Sequence, residues 1–153
     1  MLCDYEEKYY RKMSLRYREL CAHQMEKTHA LAQWKEHIAK CWDNIQVESI
    51  MLPSKATSSI EVGIPYESRV VLDLGTLTTD EIGVEILVTS IENNHEIVKE
   101  VMEYKPIAYE NGKGVYKIKV IPDEPGQVRI GVRVFPKHPL LPHRQDFALV
   151  KWL

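Results

Sequence analysis

The sequence predicts a mainly β protein with an N-terminal helical arm, in which two helices or one bent helix precede an antiparallel β-sandwich. Three observations lead there. Residues 1–52 contain no glycine and no proline, whereas all 7 glycines and all 8 prolines follow from Pro53 onward. Glycine and proline punctuate strands and turns but interrupt helices, so the switch marks a change of architecture. Apolar residues recur at three- and four-residue steps before it, and at every second residue in several runs after it. The division is placed between residues 1–44, the helical segment, and residues 45–153, the sandwich.

The arm opens with Asp4, which can cap a helix start; Glu7, three residues on, completes a D-x-x-E variant of the capping box. Tyr5, Tyr9, Met13, Tyr17, Leu20 and Cys21 then form one stripe of an amphipathic helix. The spacing loosens around "HQMEKT" and resumes with Leu31, Trp34, Ile38, Cys41 and Trp42. Thr28 can cap the second run, and Asp43-Asn44 offers its stop. Trp34 and Trp42 share a stripe with Ile38 midway, so burial is expected of them rather than ligand stacking.

The remainder reads as short strands: "VVLDL", "VEILVTSI", "EIVKEVMEY", "VYKIKVI", "VRIGVRVF" and "FALVKWL". Turn signals separate them at Tyr66-Glu67-Ser68, Gly75-Thr76, Glu92-Asn93-Asn94, Asn111-Gly112-Lys113-Gly114 and Pro122-Asp123-Glu124-Pro125-Gly126. Tyr116, Ile118 and Val120 share one face, with Lys117 and Lys119 on the other. Val128, Ile130, Val132 and Val134 likewise oppose Arg129 and Arg133. That alternation is what a sheet with one wet face requires. Roughly seven strands at 8–12-residue spacing, with no helix between them, predict an immunoglobulin-like sandwich. No cysteine falls in the strands, so the inter-sheet disulfide of antibody domains is absent.

Composition removes several function classes. A net charge of −2 exerts no long-range pull on nucleic acid or an anionic membrane. Cys3, Cys21 and Cys41 stand far apart with no C-x-x-C, which argues against a zinc or redox motif and for reduced thiols in a cytoplasmic protein. The first twelve residues are too charged for a signal peptide, and no apolar run approaches membrane-spanning length.

No residue is assigned a catalytic, cofactor-binding or metal-ligating role. The nucleophile elbow G-x-S-x-G is missing, and "NGKGVYK" is a hairpin turn without P-loop spacing. Asp80, beside Glu81 and Glu85, is read as the cap of a short helical turn. The segment "FPKHPLLPHR" looks most like chemistry, but it supplies no carboxylate or thiol to help His138 and His143 hold a metal, although Asp146 is close. Pro136, Pro139 and Pro142 are instead expected to stiffen a crossover that Leu140 and Leu141 pin down, with the basic residues facing water. The residues left as surface contacts are Trp152, Tyr109, His138, His143 and Arg144. Lys117, Lys119, Arg129 and Arg133 would form a cationic face if their strands lay together.

Three stretches carry a family resemblance. "MLCDYEEKYYRKM" is similar to the D-Y…Y-Y run, and "LAQWKEHIAKCWDNIQV" to the A-x-W-K…W…V passage, that close bacterial and archaeal α-glucan (glycogen) phosphorylases with an extra C-terminal domain. "LDLGTLTTDEIGVEILV" with "GVRVFPKHPLLPHRQDFALVKWL" resembles the family's L-G-x-L…D-x-V-x-V-E and R-V-x-P-x-H-P-x-L…L-V-x-W endings. The resemblance implies an accessory C-terminal domain of an enzyme that uses pyridoxal phosphate and inorganic phosphate to release glucose 1-phosphate from α-1,4-glucans. No stretch resembles that family's pyridoxal-lysine segment, so the chain alone is expected to be no enzyme and to hold no cofactor. Met1 is then expected to be internal to a longer protein, residues 1–44 being the closing helices of its catalytic lobe. The implied partners are that upstream lobe, a second copy through the N-terminal helices, or an α-glucan, so the sandwich is expected to be structural or oligomerising, the alternatives being a glucan-binding module of the same enzyme or a stand-alone interaction domain. The tyrosine stripe should be covered by the sandwich or a second copy, or stay mobile.

Overall fold

The structure, a computed structural model, describes residues 6–52, 61–92, 95–124, 128–141 and 143–153. Cys3, the Asp4 cap, Tyr5, the Asn93-Asn94 turn, Pro125-Gly126 and Pro142 lie outside the described residues. The chain forms two compact units, Met1–Lys40 and Cys41–Leu153.

The first unit begins with a π-helical turn, Glu6–Tyr10, and continues into α1 (Arg11–Cys41). The helix breaks where the apolar spacing loosened. Ala22 is extended at φ −63 and ψ 157, and His23, Gln24 and Met25 are left-handed at φ 50, 57 and 64. A non-glycine residue in that region costs on the order of 1–2 kcal/mol. The break is tied by Thr28 Oγ1 donating to the Leu20 carbonyl at 2.8 Å and by an ion pair of Lys27 with Glu19. Thr28 thus satisfies a carbonyl in the last turn of the first run, instead of capping the second as its position suggested. The stripe on that first run stays open to solvent: Tyr9, Met13 and Tyr17 are 60%, 72% and 69% exposed.

The second unit starts with a 3-10 turn, Trp42–Asn44, and buries Trp42. Eight strands follow: β1 (Gln46–Met51), β2 (Tyr66–Asp73), β3 (Ile82–Glu92), β4 (His95–Glu103), β5 (Lys105–Glu110), β6 (Lys113–Val120), β7 (Val128–Pro136) and β8 (Lys151–Trp152). They form two four-stranded sheets of order β1-β2-β6-β5 and β4-β3-β7-β8, with every pairing antiparallel. The order is compatible with an immunoglobulin-like Greek key, in which the fourth and fifth strands pass from one sheet to the other.

That passage is made by one residue. Tyr104 separates β4 from β5, is buried, and donates its backbone N–H to Val84 O at 2.8 Å. Its hydroxyl pairs with Ser68 Oγ at 2.7 Å, and Ser68 donates to Met51 O at 2.8 Å. Burial raises the Tyr104 pKa, against the opposing pull of the Ser68 bond. Tyr116 completes the stitching, its hydroxyl donating across to Ile82 O at 3.4 Å. Burial, then the charge of Asp80, pushes its pKa well above the usual tyrosine range.

Period two sorts the faces as expected. Val84 and Ile86 of β3 sit opposite Val134 and Val132 of β7, and all four are buried. From the other sheet come Val70, Leu72, Tyr116 and Val120. Full burial of each such side chain contributes roughly 1.5–3 kcal/mol before chain entropy is counted. The β5-β6 hairpin turns on Asn111 and Gly112 at φ 52 and 79, the type I′ signature of an Asn-Gly pair.

Three further expectations change. Tyr66-Glu67-Ser68 is not a turn but the start of β2. Asp80 does not cap its turn: Glu81 Oε2 accepts from both the N–H and the hydroxyl of Thr78, each at 3.0 Å. And "FALVKWL" is not a full strand, because Arg144–Phe147 is a 3-10 turn and only Lys151–Trp152 pairs with β7.

Candidate interaction surface

The outer face of the β4-β3-β7-β8 sheet carries a buried charge. In β3 the residues Gly83, Glu85 and Leu87 alternate with the core residues and face outward. Glu85 lies opposite Arg133 of β7, is buried, and accepts an ion-paired hydrogen bond from Arg133 Nε. Its other oxygen accepts from Arg144 Nη1, delivered by the 3-10 turn of the crossover. A buried carboxylate costs several kcal/mol unless it is paired; two guanidinium groups meet that requirement.

Each arginine also stacks on an aromatic ring. Arg144 Cζ lies 4.5 Å from the Phe135 ring centroid, and Arg133 Cζ lies 5.6 Å from that of Trp152. The rings rest on glycines. A Cβ on Gly83 would stand 2.4 Å from Phe135 Cζ, and one on Gly131 3.1 Å from Trp152 Cζ3. The row Trp152–Arg133–Glu85–Arg144–Phe135 is therefore a continuous stack over the sheet. At one end Phe135 is buried, and at the other Trp152 is 60% exposed.

This settles how the proline-rich crossover is held. Arg144 does not simply face water, as expected of it, because Glu85 draws it onto the sheet. His138 and His143 work locally: the Nδ1 of His138 accepts the Leu140 N–H at 3.1 Å, and that of His143 accepts the Gln145 N–H at 3.2 Å. Burial lowers the His138 pKa, partly offset by Glu81. Leu140 and Leu141 are half-buried.

Tyr109 lies apart from this surface, on β5 at the edge of the other sheet, where its hydroxyl donates to Leu77 O at 3.0 Å. Nor do the four basic residues meet. Lys117 and Lys119 belong to β6, Arg129 and Arg133 to β7, and those strands are in different sheets. On its own sheet Lys117 pairs with Glu67 at 2.7 Å, and that bond holds the Glu67 pKa below the usual carboxylate range. Sequence reasoning missed Glu85 as the organising residue. An acidic residue amid "VEILV" was the available signal.

Among the described residues no group of three or more His, Cys, Asp or Glu side chains stands where it could hold a metal ion. No helix of the described residues is long and apolar enough to cross a membrane.

Fold and surface together define a two-sheet β-sandwich module, preceded by a helical arm and organised around an arginine–glutamate stack. Residues 42–153 match the model of the glycogen phosphorylase C-terminal domain, and the chain belongs to that family. The match spans the sandwich and its entering turn and leaves residues 1–41 outside it. Among curated proteins, none matches the chain.

Proposed function

We propose that this chain is the non-catalytic C-terminal part of a cytoplasmic, pyridoxal-phosphate-dependent α-glucan phosphorylase, in which residues 1–44 close the catalytic lobe and residues 45–153 form an accessory sandwich. Family membership supports the enzyme, and one observation supports the docking role. Tyr9, Met13 and Tyr17 recur every four residues and stay at least 60% exposed. The run that carries them is interrupted at Ala22, and helices shorter than about 12–15 residues are marginal in water unless a face is covered. Covering the stripe contributes roughly 1.5–3 kcal/mol for each side chain fully buried. The catalytic lobe is the occupant, and the cofactor resides there.

The test is sedimentation velocity of the full chain alone and mixed with the catalytic part of a family phosphorylase that lacks this region. A complex that Met13→Glu abolishes is the expected result. A dimer of the chain that persists in the mixture would replace the lobe by a second copy. Release of glucose 1-phosphate from glycogen by the chain alone would overturn the non-catalytic reading.

A further inference from the structure

We propose that the Trp152 end of the outer sheet face is a contact site for α-1,4-glucan chains, with Trp152 as the stacking platform and Arg133 as the hydrogen-bond donor to the sugar hydroxyls. The proposal rests on the family reading, in which the enzyme acts on glycogen, but not on docking of the arm.

The chemistry starts from the sugar. A glucopyranose ring has one face of C–H bonds and a rim of hydroxyls, so it binds where a flat apolar ring adjoins fixed polar donors. Trp152 is 60% exposed, although it lies in a strand and touches the sheet. Two contacts hold it. Its six-membered ring rests over Gly131, where a Cβ would come within 3.1 Å of Cζ3, and Arg133 Cζ lies 5.6 Å from its centroid. Arg133 is itself fixed, because its Nε donates to the buried Glu85. Both Nη groups of Arg133 are left outside that bond, on a side chain 26% exposed. A guanidinium already oriented by a buried carboxylate loses little freedom when it donates to a hydroxyl oxygen.

The neighbouring positions suit a sugar chain. In register across the sheet, Gly131 faces Leu87 and Leu87 faces Val101, so a low apolar strip runs from the indole toward β4. Thr89 and Arg129 form the next row. Tyr109, another exposed aromatic of the sandwich, spends its hydroxyl on Leu77 O. His138, His143 and Arg144 are committed to the crossover and take no part.

The experiment is affinity electrophoresis of the full chain in native gels with and without glycogen, paired with a maltoheptaose titration followed by tryptophan fluorescence. Wild type is expected to be retarded by glycogen and to change its emission with maltoheptaose, but not with a β-1,4-linked oligosaccharide of equal length. Trp152→Ala should weaken binding at least tenfold and remove the emission change, while Trp152→Phe keeps part of the retardation. Met13→Glu, which abolishes docking of the arm, should bind glycogen as wild type does, so failure of either proposal is distinguishable from failure of the other. Near-UV circular dichroism checks that each variant is folded. No retardation of the wild type, equal retardation of Trp152→Ala, or an equal response to the β-linked sugar would overturn the proposal.

Discussion

The ammonium group of Lys151 lies 2.8 Å from the carbonyl oxygen of Ile45. It also reaches the carbonyls of Trp42 and Asp43, at 3.5 and 3.4 Å. These three oxygens belong to the 3-10 turn and the residue after it, where the chain passes from helix to β1. A helix end leaves carbonyls unpaired and carries partial negative charge, and a lysine from the far end of the sequence supplies both remedies. Two-residue β8 is thereby anchored on both sides, by β7 and by the turn.

Lys151→Met is expected to destabilise the protein by about 1.5–3 kcal/mol, the range for hydrogen bonds to a charged group. Urea unfolding followed by circular dichroism measures it. A loss below about 0.5 kcal/mol would show that water replaces the ammonium without penalty.

The stack around Glu85 should respond asymmetrically. Replacing Arg133 and Arg144 together by methionine leaves a carboxylate buried without a partner and is expected to cost about 3–5 kcal/mol. Glu85→Gln removes the charge while both arginines keep some solvent contact, so it should cost less than half as much. Chemical denaturation of the three proteins decides the order.

Gly83→Ala and Gly131→Ala separate a buried ring from an exposed one. The new Cβ at 83 would stand 2.4 Å from the Phe135 ring, which is buried under Arg144, so about 1–3 kcal/mol of overpacking is expected. At 131 the exposed indole of Trp152 can shift outward, and stability should change by less than about 0.5 kcal/mol. Thermal melts of the pair give the comparison.

Acid should loosen the crossover through His138. Burial favours the neutral imidazole, so the folded pKa lies below the ordinary histidine value of about 6.5. The unfolded chain then binds the proton more readily, and the contribution is present above the unfolded pKa and is lost as pH falls toward the folded one. Protonation also removes the Nδ1 acceptor used by the Leu140 N–H. Two-dimensional NMR is expected to show a His138 midpoint below 6.5 and faster amide exchange at Leu140 in acid; a midpoint above 6.5 would contradict it.

Much of the architecture was legible because it rests on local grammar. The loosened spacing at "HQMEKT" is where Ala22 to Met25 leave the helix, and the Asn-Gly pair turns the β5-β6 hairpin. Two strands, β1 and β5, escaped notice for identifiable reasons. β1 lies before the first proline and is mostly exposed, so no clean alternation marks it. β4 and β5 run together through Tyr104 with no turn residue between them, because the chain changes sheets without reversing.

The amino-acid sequence alone determined the helical arm, the two-faced strands and the family, since each depends on residue type and spacing within a few turns. Only the tertiary structure decided what the odd segment "FPKHPLLPHR" is. Glu85 and Arg144 are 59 positions apart, and Lys151 and Ile45 are 106. Such pairings follow from sheet order and from the need of a buried charge for partners, which no local pattern encodes. The exposed indole of Trp152 is likewise a consequence of register, because it lies over a glycine that only strand pairing brings beneath it.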